Sequence, residues 1–309
     1  MPVGGQFVAD AYEVRMVSST KDLLRQPVRT ARKTAVLVGN PAFDLSEAEQ
    51  RAALAKLPQR GKPEPEPTWT RSGRTRVTRE QGGAQLNPLE GTQDEVDGIA
   101  KLLQKQGWKV SEHTRQDALA EWVQRAEGPR VLHLATHGFF EPDQRLNRQE
   151  SAFGLPKDDA AGRLEDPMLR SGLYFAGANR TLAHESTPEG LHNGVLTAYE
   201  ASTLNLQGTE LVVLSACETG LGETQNGEGV MGLQRGLQEA GVQTVLMSMW
   251  AVPDRETQEL MSRFYQKWLG GKSKHEALSE AQQEMRAEVR QKYGGDFPWY
   301  WGAFVLVGP

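Results

Sequence analysis

The chain holds a single cysteine, Cys217, among its 309 residues. It ends the apolar run Leu211-Val-Val-Leu-Ser-Ala-Cys217 and is followed by Glu218-Thr219-Gly220. A second run, Val131-Leu-His-Leu-Ala-Thr-His137, ends in an imidazole and is followed by Gly138. A thiol beside an imidazole can carry out acyl transfer: the thiolate attacks, and the histidine takes its proton or lowers its pKa. The oxyanion of the tetrahedral intermediate then needs backbone N–H donors. Gly138 offers an unobstructed one and the Cys217 amide another. A lone cysteine is more often an inert buried hydrophobe. Cys217 stands instead at a strand end, before the glycine-rich stretch Gly220, Gly222, Gly227 and Gly229, where a residue kept only for packing has little to do. His133 and His137 read H-x-x-x-H, which on a helix is a zinc spacing. On a strand the same spacing separates the rings by roughly 13 Å, at about 3.3 Å per residue. No metal site is expected there, and His133 is assigned to the core or to support of the site.

Both runs are short, continuously apolar and bounded by glycine, the pattern of buried strands in a parallel sheet. Ligands in such sheets bind beyond the carboxyl ends of the strands, which is where Cys217 and His137 fall. Further strands are expected at Ala35–Gly39, Trp108–His113, Val242–Trp250 and Ala303–Val307, with weaker ones at Tyr12–Val17 and near Leu173–Phe175. Thr92-Gln-Asp-Glu95 reads as a capping box opening a helix with Val96, Ile99, Ala100 and Leu103 on one face and Gly107 at its end. Ser273-Lys-His-Glu276 reads as a second box before a long final helix. Asp254 opens a helix carrying Leu260, Met261, Phe264, Tyr265 and Trp268 on one face. Shorter helices are expected at about 45–57, around Leu119, Trp122 and Val123, at Leu196–Leu204, and after the glycine-rich stretch. Strands alternating with helices predict βαβ units and a parallel sheet covered on both faces. Two stretches lose the apolar pattern, at about 59–91, with prolines and arginines, and at 140–192. Both are expected to be long loop insertions in one domain spanning 1–309.

Composition narrows the function. With 38% hydrophobic and 24% charged residues, the chain is ordinary globular protein. A net charge of −5 gives no basic surface for nucleic acid. One cysteine rules out an internal disulfide and a cysteine metal cluster. No stretch reaches the roughly 18 apolar residues of a membrane helix, and no signal peptide is visible, so a cytoplasmic location is expected and no membrane partner. The sequon Asn179-Arg-Thr181 has no evident role in such a chain. Gly227-Glu-Gly-Val-Met-Gly232 matches a dinucleotide pattern but follows no strand, Gly271-Lys-Ser273 lacks the first glycine of a phosphate loop, and no G-x-S-x-G occurs. No cofactor is expected.

Leu132-His-Leu-Ala-Thr-His137-Gly138 together with Leu214-Ser-Ala-Cys217-Glu-Thr-Gly220 resembles the CHAT domain, the caspase-like domain associated with tetratricopeptide repeats. Gly39-Asn-Pro-Ala-Phe43, Gly91-Thr-Gln-Asp-Glu95, Gly227–Gly232, Ala240-Gly241, Ser248-Met-Trp250-Ala-Val-Pro-Asp254, Phe264-Tyr265 and Trp301-Gly-Ala-Phe304 extend the resemblance over about residues 30–308. It implies an α/β fold, a caspase-like three-layer αβα sandwich with a mostly parallel central sheet. It also implies cysteine endopeptidase chemistry without a third acid or amide residue, with His137 as general base and Cys217 as nucleophile. By similarity to separases, Asp254 lines a pocket for a basic residue before the scissile bond; its other reading is a helix N-cap. Trp250 is read as core, with a pocket wall as the alternative. The expected partners are a protein or peptide substrate and a regulatory or helical-repeat protein, and the expected source is bacterial. Two other readings stay open: a catalytically silent scaffold for protein interaction, and a thiol-dependent amidase acting on small molecules.

Overall fold

The computed structural model describes residues 2–3, 6–7, 16–17, 31–57, 85–140, 167–215, 228–250 and 252–309. Short strands β1 (Pro2–Val3) and β2 (Gln6–Phe7) form an antiparallel pair. The body of the fold then runs β3 (Thr34–Pro41), α1 (Glu47–Leu54), α2 (Glu90–Lys105), β4 (Lys109–Arg115), α3 (Ala120–Gln124) and β5 (Val131–Ala135). It continues through β6 (Gly138–Phe140), β7 (Ser171–Tyr174), α4 (Ala178–Leu182), β8 (Val195–Thr197), α5 (Ala198–Ser202) and β9 (Leu211–Leu214). It closes with α6 (Glu228–Glu239), β10 (Thr244–Ser248), α7 (Asp254–Leu269), α8 (Lys274–Tyr293) and β11 (Phe304–Val307).

Six strands form the central sheet in the order β11-β10-β9-β5-β3-β4. All neighbours are parallel except β10 and β11. From β3 the chain passes to β4 on one side, whereas β5 leads on to β9 on the other. The order therefore reverses at the β3–β5 boundary, and in open sheets the crevice beyond the carboxyl ends at such a reversal is where ligands bind.

Alternate strand residues face opposite ways, so each sheet face builds its own core. On one face Leu37, Val131, Ala135, Val213 and Leu246 pack under α2, α7 and α8. On the other, Val38, Leu132, Leu134, Val212 and Met247 pack under α3, α5 and α6. The result is the three-layer αβα sandwich with a mostly parallel central sheet that the resemblance implies. A second, three-stranded antiparallel sheet, β6-β7-β8, lies beyond the end of β5.

Several local expectations meet a different structure. The helix expected to open at Thr92 begins at Glu90, with no side-chain cap on Leu89. Thr92 instead accepts from the Asn40 N–H at 2.8 Å and donates to Leu89 O at 2.7 Å. Its supposed capping partner Glu95 is buried. The Ser273–Glu276 box forms as read. Of the stretch expected to be an insertion at 59–91, residues 85–91 are described: Leu86 is buried and α2 has already started. Of 140–192, residues 167–192 are described and include β7 and α4. The expected strand at Tyr12–Val17 lies mostly outside the described residues, with Met16 bridging Val307.

Candidate functional site

β5 ends at Ala135, and the chain turns at Thr136 to leave the central sheet for β6. Two bonds fix this turn: Thr136 Oγ1 donates to Tyr174 O at 2.5 Å, and Tyr174 N–H donates to His137 O at 2.9 Å. His137 therefore stands just beyond the carboxyl end of β5, 5% exposed.

Two contacts hold its ring. Phe43, in the segment after β3, stacks on it with centroids 5.1 Å apart and planes 27° apart. Nε2 lies 3.0 Å from the Asn87 carbonyl oxygen. A carbonyl can only accept, so Nε2 carries the proton, and in the neutral ring Nδ1 holds the lone pair. Nδ1 is buried and has no hydrogen-bond partner among the described residues. Burial pushes the His137 pKa below its ordinary value, with the Asn87 bond and the charge of Asp254 pulling the other way.

The adjacent strand brings the second run alongside. β5 and β9 pair in parallel with Leu134 opposite Leu214, and Ser215 N–H donates to Leu134 O at 3.0 Å. His137 follows Leu134 by three residues, as Cys217 follows Leu214 in the sequence. Cys217 itself lies outside the described residues.

Gly138 pairs with Leu173 in the small sheet. Hydrogen-bonded and non-bonded pairs alternate in an antiparallel ladder. The His137–Tyr174 bond therefore makes Gly138–Leu173 a non-bonded pair, and the buried Gly138 N–H is directed away from β7.

Asp254 is the first residue of α7, following Pro253 at the N-cap, so it is not the cap itself. It is exposed. It packs on the first turn of α2 so closely that a Cβ on Gly91 would lie 2.4 Å from the Asp254 Cβ. Trp250 is partly buried against the core, donates from Nε1 to Trp299 O at 3.2 Å and stacks on that residue's ring, 6.4 Å between centroids. The sheet does not bring Trp250 into contact with His137 in any described interaction.

Sequence reasoning missed three participants. Asn87 carries no signal, because its carbonyl does the work. Pro88 after it restricts Asn87 to extended backbone. Glu95 reaches from α2 beneath the site. Ser215 Oγ donates to its Oε2 at 3.0 Å, and His133 Nε2 lies 3.0 Å from its Oε1 without an aligned hydrogen bond. The other nitrogen, His133 Nδ1, is 3.3 Å from the Tyr265 hydroxyl. The available signal was a carboxylate in line with Ile99 and Leu103 on the apolar face of α2. The third is Asn179, read only as part of a sequon. No group of histidine, cysteine and acidic residues able to hold a metal occurs among the described residues. No helix among them is long and apolar enough to cross a membrane.

Comparison with known proteins follows the same residues. The CHAT domain model matches residues 2–309. Mouse tetratricopeptide repeat protein 28 is 30% identical over 221 residues, covering 72% of this chain and 9% of that protein. Its human counterpart is 31% identical over 114 residues, or 37% of this chain and 4% of the relative. The chain thus spans less than a tenth of either relative's length. The Arg-specific cysteine proteinase gingipain R superposes with a TM-score of 0.41 at 12% identity, over 90% of this chain and 46% of that one.

Proposed function

The chain belongs to the CHAT domain family, and on that premise we propose that it is a cysteine endopeptidase working through Cys217 and His137. The observation that carries this reading is the state of His137: Nε2 is committed to Asn87, while Nδ1 is buried and unpartnered among the described residues. An imidazole so placed, on a strand whose neighbour runs in register toward the sole cysteine, is a base waiting for one proton.

In the proposed reaction Nδ1 takes the Cys217 proton and the thiolate attacks the scissile carbonyl. The Gly138 and Cys217 N–H groups receive the oxyanion. The Nδ1 proton passes to the departing amine, leaving a thioester. Water, deprotonated by the same nitrogen, then releases the acid and the free thiol. The Asn87 carbonyl holds the ring through each transfer. Asp254 selects Arg or Lys before the scissile bond. Its support is an exposed carboxylate at the start of α7, close enough to His137 to raise that residue's pKa. A helical-repeat protein is the proposed regulator, as the tetratricopeptide repeats named in the relatives suggest.

A peptidyl-Arg acyloxymethyl ketone tests this. It is expected to label the chain at Cys217 and to leave Cys217→Ala unlabelled, while Asp254→Ala loses the preference for Arg over neutral residues. Absence of labelling in the presence of a repeat-protein partner as well as without it would favour the silent scaffold. Labelling by small amides alone would favour the amidase.

A further inference from the structure

The two contacts that hold the His137 ring come from separate stretches of chain, Phe43 after β3 and Asn87 before α2. Both lead back to one side chain. Asn179, on α4, accepts from Leu86 N–H through Oδ1 at 2.8 Å and donates from Nδ2 to Leu86 O at 3.1 Å. The same Nδ2 donates to Asp44 Oδ1 at 2.8 Å, and the Asn179 N–H donates to Phe43 O at 3.2 Å. The residues it clasps are thus the immediate neighbours of Asn87 and Phe43 itself. Leu86 and Phe43 share an apolar cluster with Phe139, Tyr174 and Leu182.

We propose that Asn179 is a positioning residue for the base: its carboxamide locks the Phe43–Asp44 and Leu86–Asn87 segments together, and so fixes the orientation and tautomer of His137. The proposal deepens the peptidase reading, since it takes His137 as the base. An amide suits the task because it donates and accepts in one plane, matching both groups of the Leu86 backbone at once. No charge is introduced beside the imidazole. At 7% exposure with its amide fully engaged, Asn179 is not a glycosylation site in the folded chain. The Asn87 bond stabilises the protonated ring, so loosening it has a readable electrostatic consequence.

The test is an NMR titration of nitrogen-labelled histidines in the full chain carrying Cys217→Ala, with and without Asn179→Ala. The expected result is an Nε2–H tautomer for His137 when Asn179 is present. With Asn179→Ala a tautomer mixture and a lower titration midpoint are expected. An unchanged tautomer and midpoint in the folded variant would overturn the proposal. Should Asn179→Ala fail to fold, Asn179→Asp keeps the shape, retains the acceptor for Leu86 N–H and sets a carboxylate against Asp44. Adding Asp44→Asn is expected to restore part of the tautomer preference, and a double variant no better than the single one counts against the proposal. In the chain with its thiol, Asn179→Ala should slow the inactivation step of the peptidyl-Arg ketone on the order of 10–100-fold, with its binding constant unchanged. Weaker binding with an unchanged step would place Asn179 in the substrate pocket instead. The titration needs no turnover, so a wild-type chain that is never labelled would sink the peptidase reading and leave the Asn179 result standing.

Discussion

The proposed reaction asks His137 to be neutral before it and charged within it. Burial depresses its pKa, while the Asn87 carbonyl and Asp254 raise it. Burial is the largest of these effects, so the ring loses its proton more readily than a free histidine. A base acts in its deprotonated form, and activity falls only as pH drops through the depressed pKa. The acid limb of kcat/KM against pH is therefore expected below the ordinary histidine value of about 6.5. Asp254→Asn removes one of the groups favouring the charged ring and should move that limb lower still, whatever it does to specificity. An acid limb above 6.5 would mean that burial does not govern this residue. The position of His137 beyond a buried strand was legible from its place after an apolar run, and so was the burial of His133. The groups that tune and hold His137 were not, because Asn87 acts through its backbone and Asn179 through an amide, and neither needs a recognisable spacing.

At the scale of elements, periodicity carried most of the information. The runs at Ala35, Val131, Leu211 and Val242 were readable as strands because a buried parallel strand has no polar face. Asp254–Leu269 and Lys274–Tyr293 were readable as helices from their apolar stripes and, in α8, from the Ser273 box. The small sheet was hard to see because β6 and β8 are three residues each, too short to establish an alternation. Thr92-x-x-Glu95 was misread for a different reason: a capping box and a buried carboxylate on an apolar stripe share the same spelling. β4 has its own titratable feature. His113 is 6% exposed, stacks on Trp122 at 3.8 Å between centroids, and takes a 2.8 Å bond between Nε2 and Ser111 Oγ. Burial pushes its pKa from 6.5 down to about 4, partly countered by Asp117. Folding thus favours the neutral ring, and the unfolded chain binds a proton that the folded chain refuses as pH falls from 6.5 towards 4. Its contribution to stability is complete above 6.5 and is lost across that window, on the order of 1–3 kcal/mol after solvent screening. His113→Phe keeps the stack and should flatten this part of the pH dependence in urea unfolding. An undiminished slope would assign the acid sensitivity elsewhere.

Across the whole molecule, the strand order is what the linear sequence could not state. That β5 and β9 are neighbours, with three intervening strands sent off to a second sheet, follows only from the pairing. Glu95 shows how the layers are tied at that junction. It belongs to the helical layer, its carboxylate touches β5 through His133, and it receives the Ser215 hydroxyl just past β9. Tyr265 of α7 completes the group, its phenol kept protonated by burial and by the nearby Glu95 charge. The buried Glu95 carboxyl therefore ties α2 to β5 and to the residue just past β9 beneath the proposed site, and His133 extends the group to Tyr265 of α7. Removing one partner of a buried ionic group leaves the others desolvated and unmatched, typically at a cost of about 3–5 kcal/mol. Glu95→Ala is expected to lower the unfolding free energy measured in urea by that amount, and Glu95→Gln, which keeps the volume and an acceptor, by clearly less. Because Ser215 stands two residues before Cys217, both variants should also slow labelling by the peptidyl-Arg ketone under conditions where the chain remains folded. Full stability in Glu95→Ala would show that the carboxylate ties nothing together. Full labelling in a destabilised Glu95→Ala would confine its role to the core.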